Sequence, residues 1–225
     1  MQVHEGHRIA RKFFNSKTAS SYDFIVRLTT FGQDNLWKNH MLSILDKREN
    51  ILDLACGTGI LSSLISKSNK KQVIGLDLAL DYLKIAKKKI TYGFFINGNA
   101  ETLPYRSNSF DTIISSYLAK YVNIRRLVEE CWRVLNHNGV VVFHDFTYPQ
   151  NVIFRSLWDA YFAVLQIVGN FSASWAIVFS DLNNVIRNTK WVEEIIYVLQ
   201  QAGFKSISCN FYTMGTAAII SAKKP

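Results

Sequence analysis

The sequence predicts an α/β protein whose mostly parallel sheet is covered by helices on both faces. From residue 51 onward, short and mainly apolar runs alternate with amphipathic stretches of helical period. Strands buried on both faces form such continuous apolar runs, and their alternation with helices is typical of right-handed βαβ units. The length of 225 residues, 48% of them hydrophobic, is suited to one domain with a sizeable core, or to one domain with a lid.

The predicted elements follow one another along the whole chain. Residues 13–45 have apolar side chains at helical spacing and predict helices. The predicted strands are 51–55, 73–78, 94–98, 110–116 and 139–146, with helices at 60–67, 80–90 and 123–135. Residues 148–200 are mostly helical again by the same criterion. The end of the chain predicts two strands joined near Met214-Gly215.

The charge is unevenly distributed along the chain. The net charge is +9, and residues 1–100 carry 15 basic and 8 acidic side chains, against 11 and 9 in residues 101–225. A basic half is typical of proteins that contact nucleic acid, an anionic membrane surface or an acidic ligand, and composition does not choose among these. A charged fraction of only 19% together with the high apolar fraction excludes a disordered chain.

Cysteine spacing and the N-terminal residues indicate the compartment. Cys56, Cys131 and Cys209 lie far apart with no Cys-x-x-Cys pair, so we expect neither a disulfide framework nor a zinc ribbon, and predict a reduced, cytoplasmic protein. The first residues lack the apolar region of a secretion signal. Residues 160–180 carry no formal charge over 21 positions, long enough to span a bilayer, but Gly169-Asn170 predicts a turn in their middle. We therefore expect a buried lid, or one whose outer face touches a membrane, and no transmembrane helix.

A glycine-rich loop, DLACGTG (53–59), follows the first predicted strand and opens a helix. Glycines let the backbone approach a ligand, and a helix N-terminus offers unpaired N–H groups. Eighteen residues after Gly59, Asp77 ends the second strand, where a carboxylate can accept both hydroxyls of a ribose. The combination predicts a nucleoside cofactor held by Asp53, Gly57, Gly59 and Asp77.

Two departures from a dinucleotide fingerprint favour S-adenosylmethionine over NAD. The third glycine of that fingerprint is replaced by Ser62. Asp53 is poorly suited to the vicinity of a pyrophosphate but suits a cationic methionyl group, held directly or through water and loop amides.

Polar residues also follow the third and fourth strands, at the same predicted edge of the sheet. In Asn99-Ala100-Glu101 an amide or carboxylate can bind the adenine amino group, while Ala100 leaves room for the ring. Ser115-Ser116 ends the fourth strand, where open α/β sheets bind ligands. Leu78, directly after Asp77, is included among the cofactor-binding candidates.

At these positions the chain resembles class I S-adenosylmethionine-dependent methyltransferases, and in particular the ubiquinone/menaquinone biosynthesis C-methyltransferase (UbiE-like) family. The resemblance to the class lies in four segments: DLACGTG (53–59), GLDLALDYLKIAKKK (75–89), NAETLPYRSNSFDTI (99–113) and EECWRVLNHNGVVV (129–142). The narrower resemblance lies in Ser20-Ser21-Tyr22-Asp23, Thr30-Phe31-Gly32, Leu36-Trp37-Lys38, Asp145-Phe146 with Pro149, and residues 212–218.

The resemblance implies a Rossmann-like fold with a seven-stranded sheet of order 3-2-1-4-5-7-6, in a single methyltransferase domain spanning residues 1–225. Its parts are an N-terminal helical cap (1–49), a cofactor-binding core (50–147), a helical lid (148–200) and a C-terminal hairpin (201–225). The cofactor contacts that it implies are Thr58, Asp77, Asn99, Ala100 and Ser116. S-adenosylmethionine would be converted to S-adenosylhomocysteine, with no metal.

The activity that the resemblance implies is C-methylation of a lipophilic, prenylated quinol at the carbon ortho to a hydroxyl. We predict His144 or Asp145 as the base or as a group that orients the hydroxyl. Lys120 would stabilise the phenolate, and Tyr22 with Asp23 would close the N-terminal lid. The chain departs from the family at Lys120, where the family has arginine and hence a planar, forked donor.

Other functions remain open at this point. They are O- or N-methylation of another small molecule, methylation of RNA, and a catalytically silent cofactor-binding module. Nucleic acid is not an expected partner, because Ser115-Ser116-Tyr117-Leu118 replaces the Asn/Asp-Pro-Pro-Tyr/Phe motif of amino-methylating enzymes. A lysine-rich segment predicts either a solvated helical face or contact with an anionic membrane surface, and a homodimer is a further expectation. Its members are Lys67, Lys70, Lys71, Lys84, Lys87, Lys88 and Lys89.

Overall fold

Seven strands form one sheet in the computed structural model, which describes residues 3–45, 49–69, 72–91 and 93–225. The strands are β1 (Ile51–Leu54), β2 (Val73–Asp77), β3 (Gly93–Asn97), β4 (Phe110–Ser116), β5 (Leu135–Phe146), β6 (Lys205–Tyr212) and β7 (Ala217–Lys223). Their order is β3-β2-β1-β4-β5-β7-β6, and β7 runs antiparallel to both of its neighbours. The sheet order that the resemblance implied is therefore confirmed.

Ten helices surround the sheet in the described residues. They are α1 (Val3–Phe13), α2 (Ser16–Ala19), α3 (Tyr22–Thr29), α4 (Gln33–Ile44), α5 (Ile60–Asn69), α6 (Leu80–Lys89), α7 (Ile124–Val134), α8 (Val152–Gly169), α9 (Ala176–Asn188) and α10 (Trp191–Gln201). Side-chain caps fix several helix starts: Asn15 forms a capping box at α2, and Asn123 and Asn151 accept backbone N–H groups at α7 and α8.

Two apolar layers fix the helices to the sheet. On one face, α7 and α10 pack through residues such as Leu127 and Trp191. On the other, α4 and α5 pack through Met41 and Ile65. The helices therefore cover both faces, as the buried strands require.

One predicted boundary is wrong. The fifth strand was expected to begin at residue 139, but β5 starts at Leu135, directly after α7, and Leu135 pairs with Phe110. Asn138, next to Gly139, has a positive φ of 62°, and the register of β5 with β4 shifts there. In the sequence, this irregularity inside β5 has the same pattern as a turn that precedes a strand.

The lid region (148–200) contains α8, α9 and nearly all of α10, with Gly169-Asn170 at the end of α8. By length and composition α8 is the one helix among the described residues that could cross a membrane, and only 17% of it is buried. Its inner side chains Trp158 and Phe162 pack against Ile186 of α9. The N-terminal helices α1 and α3 also contact α9, so the cap and the lid lie against each other.

Candidate functional site

A cleft of about 370 Å³ opens at the carboxyl ends of β1, β2, β3 and β4. The parallel register places these ends side by side: Leu54 pairs with both Leu76 and Ser115, and Asp77 pairs with Asn97. Helix α1 covers the cleft and contributes His7 to its wall. Such a crevice beside the strand ends is where open α/β sheets bind ligands.

Asp77 lies in the wall of this cleft with a fixed orientation. Its Oδ2 accepts a hydrogen bond from the Gly57 amide and its Oδ1 one from the Ala79 amide, each at 2.7 Å. Burial raises the pKa of Asp77, and these backbone donors oppose that rise. The carboxylate retains free lone pairs, which can accept the two hydroxyls of a ribose.

The loop after β1 can take its course only because glycines occupy it. Gly57 lines the cleft with a φ of 57°. Gly59 has a φ of 77°, and a Cβ atom there would lie 2.9 Å from Ile90 Cδ1 and 3.1 Å from Ala86 Cβ. Gly59 therefore serves the packing of the loop against α6 rather than the cleft itself.

The remaining cofactor candidates divide into two groups. Leu78, Asn99, Ala100 and Ser116 line the cleft together with Gly57 and Asp77. Asp53, Thr58 and Gly59 do not line the cleft in the described structure.

Asp53 points away from the cleft into the start of α5. Its Oδ2 accepts from the Ser62 hydroxyl at 2.5 Å, and burial raises the pKa of Asp53 to about 7. The hydroxyl of Thr58 donates to Asp23, which also pairs with Lys89. Thr58 thus connects the glycine-rich loop to α3 of the cap.

Glu101 does not reach the cleft. Its Oε1 accepts from the Asn123 amide and from His7 Nε2, each at 2.9 Å. The carboxylate therefore connects α1 to the start of α7, and Asn99 rather than Glu101 lines the cleft at this strand end. His7 was not identified from the sequence, because it lies 94 residues from its partner.

A second cavity of about 80 Å³ lies against the first. Four aromatic side chains form walls of both cavities: Phe14, Tyr22, Tyr117 and Tyr121. The second cavity, here called the aromatic cavity, is otherwise lined mainly by apolar side chains of α3, α8 and α9, including Phe162, and by Trp175 directly before α9. Aromatic side chains pack edge-to-face or offset against a further ring, so this wall suits an aromatic ligand.

Lys120 is the charged group of this cavity wall among the described residues. It is 2% exposed and forms an ion pair with Asp145, whose side chain is fully buried. Its Nζ also lies 4.8 Å from the ring centroid of Tyr121 and 5.4 Å from that of Tyr117. Burial lowers the pKa of Lys120 and raises that of Asp145, which brings the two groups closer in proton affinity.

Asp145 has one oxygen engaged and one without a partner. Oδ1 accepts from Lys120 and from the Phe146 amide, whereas Oδ2 is buried with no hydrogen bond from any described residue. This buried oxygen can therefore accept a hydrogen bond from a further donor.

His144 lies behind this cavity wall. Its Nδ1 is 2.8 Å from the Ser116 hydroxyl, and its ring is 5.0 Å from the Tyr117 ring and 5.3 Å from that of Trp37. Burial, together with the nearby ammonium groups, holds the pKa of His144 well below its usual range. The lowered pKa favours the neutral imidazole, which lines neither cavity in the described structure.

A second buried ion pair was missed by the sequence analysis. Lys38 pairs with Asp34 one turn earlier in α4, and the Tyr117 hydroxyl donates to Asp34 Oδ1 at 2.8 Å. The available signal was an Asp and a Lys at i, i+4 on the same face as the buried Trp37 and Met41. Tyr117 carries this contact where the resembled family has phenylalanine.

The lysine-rich segment is partly described. Lys84 pairs with Asp81 at 2.8 Å and Lys89 with Asp23, while Lys70 and Lys71 lie outside the described residues. No group of three or more His, Cys, Asp or Glu side chains suited to a metal ion occurs among the residues that the structure describes.

The sheet order, the antiparallel β7 and the cleft at the strand ends define the class I S-adenosylmethionine-dependent methyltransferase fold. A solved S-adenosylmethionine-dependent methyltransferase from Aquifex aeolicus has this fold, with a TM-score of 0.63 at 14% identity over 94% of this chain and all of that one. The family model of the ubiE/COQ5 methyltransferases matches residues 1–224. The chain therefore belongs to the ubiE/COQ5 methyltransferase family and is an S-adenosylmethionine-dependent methyltransferase.

Curated relatives match over most of their length. A demethylmenaquinone methyltransferase of Chlorobaculum parvum is 30% identical over 217 residues, which cover 92% of this chain and 90% of the relative. A ubiquinone/menaquinone biosynthesis C-methyltransferase UbiE of Campylobacter jejuni is 28% identical over 227 residues, which cover 95% and 96%. The family membership and the S-adenosylmethionine cofactor predicted from the sequence are confirmed.

Proposed function

We propose that the protein transfers a methyl group from S-adenosylmethionine to a ring carbon of a prenylated quinol of the demethylmenaquinol type. The observation that carries this proposal is the aromatic cavity, which shares its walls with the cofactor cleft and contains the Lys120–Asp145 pair. The relatives named as demethylmenaquinone methyltransferases support the choice of ring.

The cleft residues fit S-adenosylmethionine. Asp77 would accept the ribose hydroxyls, Asn99 and Ala100 would hold the adenine, and Gly57 would offer backbone approach. Leu78 and Ser116 complete the wall, whereas Asp53, Thr58 and Gly59 do not line the cleft. When bound, the cofactor supplies a methyl group on a cationic sulfonium.

Lys120 and Asp145 provide a route for the quinol proton. The hydroxyl proton passes to Lys120 Nζ, while an Nζ proton moves to Asp145 Oδ1, so that the pair gains one proton and Lys120 stays cationic beside the phenolate. The contact between Lys120 Nζ and Asp145 Oδ1 provides the path for this transfer, and burial favours it by lowering the pKa of Lys120 and raising that of Asp145. The phenolate directs electron density to the ortho carbon, which forms the new carbon–carbon bond.

Proton return completes the reaction. After methyl transfer the ring carbon loses its hydrogen as a proton, the oxygen regains a proton from Lys120, and Asp145 returns one to Lys120. One proton is released overall. An ammonium held by a low-dielectric wall stabilises the developing negative charge far better than water does.

Tyr22 and His144 act as positioning residues in this proposal. Burial raises the pKa of Tyr22 well above its usual value, so its phenol stays protonated and serves as a wall between the two cavities. His144 holds the Ser116 hydroxyl at the cleft and supports the Tyr117 ring. Because His144 lines neither cavity and the phenol of Tyr22 stays protonated, Lys120 and Asp145 are the favoured reacting pair.

The proposal is tested with purified protein, S-adenosylmethionine and a panel of reduced quinones of different ring type with short tails. Mass spectrometry should show the gain of one methyl group on a demethylnaphthoquinol. The oxidised quinone is the matched control, since it has no hydroxyl proton to release and should stay unmodified. Methylation of no quinol in the panel, or equal methylation of reduced and oxidised forms, would contradict the proposal.

The cytoplasmic location and a homodimer stay predictions of the sequence. RNA remains an unexpected partner, and methyl incorporation into tRNA or rRNA under the same conditions would overturn the choice of substrate class.

A further inference from the structure

The two helices that wall the aromatic cavity also carry exposed apolar side chains. On α3, Ile25 and Thr29 line the aromatic cavity, whereas the adjacent Phe24 and Leu28 are exposed. On α8, Tyr161 and Leu165 line the cavity, whereas Leu157 and Val164 are exposed. We define the α3–α8 surface by six side chains, each more than half exposed. They are Phe24, Leu28, Phe31, Leu157, Val164 and Val168.

The two halves of the α3–α8 surface are continuous. The Tyr161 hydroxyl donates to the Thr29 carbonyl oxygen at 2.5 Å, and the rings of Phe31 and Tyr161 lie 5.7 Å apart. Leu157 and Val164 are four residues before and three after Tyr161, which places them on the same side of α8. The apolar surface therefore extends from α3 across to α8 beside the cavity.

The charges beside this surface are positive. Arg27 of α3 is exposed. Arg155 of α8 is exposed as well, but its guanidinium donates to the carbonyl oxygens of Pro149 and Gln150 and lies on another side of α8 from Leu157. The carboxylates of the same helices are already engaged, because Asp23 belongs to an ion pair and Asp159 accepts from a tyrosine hydroxyl at 2.7 Å. An apolar surface that carries an exposed arginine and no free carboxylate on its two helices is complementary to the interface of an anionic phospholipid bilayer.

We propose that the α3–α8 surface seats in the interfacial layer of an anionic bilayer. This rests on the proposed function, because a prenylated quinol keeps its tail in lipid while its ring enters the cavity that these helices wall. Helix α8 lies along the interface rather than across it, since Trp158 fixes its inner face to the protein by an Nε1 hydrogen bond to Asn183 at 2.8 Å. The lysine-rich segment near α5 and α6 is not the seat of this contact.

The test is flotation of the full chain with vesicles of phosphatidylethanolamine and phosphatidylglycerol. The wild type should float with the vesicles, and the double variant Leu157→Glu/Val164→Glu should lose affinity by at least about tenfold, since each exposed apolar side chain contributes to partitioning. The matched control is Phe94→Glu/Phe211→Glu, which changes equally exposed apolar side chains at the two outer strands of the sheet. It should float as the wild type does.

Several outcomes would overturn this proposal. They are a wild type that stays in solution, a Leu157→Glu/Val164→Glu variant that floats like the wild type, and loss of flotation only when Lys87 and Lys88 are changed to Gln. A dimer that the first variant dissociates, with no vesicle binding, would make the surface a contact between two copies.

Turnover of a short-tailed, water-soluble quinol without vesicles separates the two proposals. Leu157 and Val164 line neither cavity, so the variant should match the wild type in this assay. Absence of turnover in both proteins would refute the proposed function, whereas equal turnover with lost flotation supports the membrane surface.

Discussion

Replacing Lys120 with methionine should both destabilise the protein and stop methyl transfer. The variant leaves the Asp145 carboxylate fully buried with the Phe146 amide as its described donor. Breaking a buried ion pair by removing one partner costs about 3–5 kcal/mol, because the other charge stays desolvated. Turnover should fall by about 10²–10³-fold, the usual effect of losing one group that stabilises a developing oxyanion.

The double variant Lys120→Met/Asp145→Asn distinguishes the two effects. Asparagine keeps an oxygen for the Phe146 amide and removes the unpaired charge, so the double variant should recover most of the lost unfolding free energy in urea titrations. Its turnover should stay low, because no cation faces the quinol oxygen. Lys120→Arg keeps a cation beside Asp145 and should keep most of the stability, but its guanidinium does not release a proton to Asp145, so its turnover should still fall.

Two readouts make this prediction refutable. Calorimetric titration with S-adenosylhomocysteine should give wild-type affinity in every variant, since Lys120 lies in the wall of the aromatic cavity and not of the cofactor cleft. A Lys120→Met/Asp145→Asn protein with wild-type stability and wild-type turnover would refute the assigned role of the pair.

Three further changes have defined expectations. Asp77→Asn should weaken S-adenosylhomocysteine binding by about 10–100-fold in calorimetry, because the asparagine NH2 group would face a backbone N–H that now donates to the carboxylate. The control Asp181→Asn, at the protein surface, should leave the affinity unchanged. Gly59→Ala should lower the free energy of unfolding by about 2–4 kcal/mol in urea titrations, because an alanine there has an unfavourable positive φ and a Cβ too close to Ile90. An unchanged urea midpoint would contradict this packing. The pKa of Asp53 rises from 3.8 to about 7 on folding, so the wild type should lose stability as pH rises between about 4 and 7 and level off above. At about 1.4 kcal/mol per pH unit, the loss of unfolding free energy amounts to up to about 4 kcal/mol. In urea titrations, Asp53→Asn should not show this dependence on pH. An equal dependence in wild type and variant would mean that another group causes it.

The fold could be predicted from the sequence because the apolar runs and the loop residues indicated the same arrangement of strands and helices. Buried strands gave continuous apolar runs, and the loops after β1 and β2 carried the glycines and the carboxylate that a cofactor edge requires. The start of β5 could not be predicted, since Leu135 joins the sheet by pairing with Phe110, a contact that local residues do not determine.

Sequence spacing predicted several of the residues that line the cleft, but not their long-range contacts. Asp77 follows from motif spacing, whereas the His7–Glu101 contact joins residues far apart in sequence and depends on how the cap packs. The orientation of Asp53 toward Ser62 was equally hidden, because the pattern fixes the strand position and not the partner of the side chain.

The most direct measurement of the central claim is the atom that receives the methyl group. Reaction of reduced short-tailed demethylmenaquinone with S-adenosylmethionine labelled with carbon-13 in its methyl group should give a product whose labelled carbon appears in the aryl-methyl region of the NMR spectrum. The aromatic cavity and the Lys120–Asp145 pair predict this ring-carbon product. A labelled methoxy signal, from methylation at oxygen, would contradict the account.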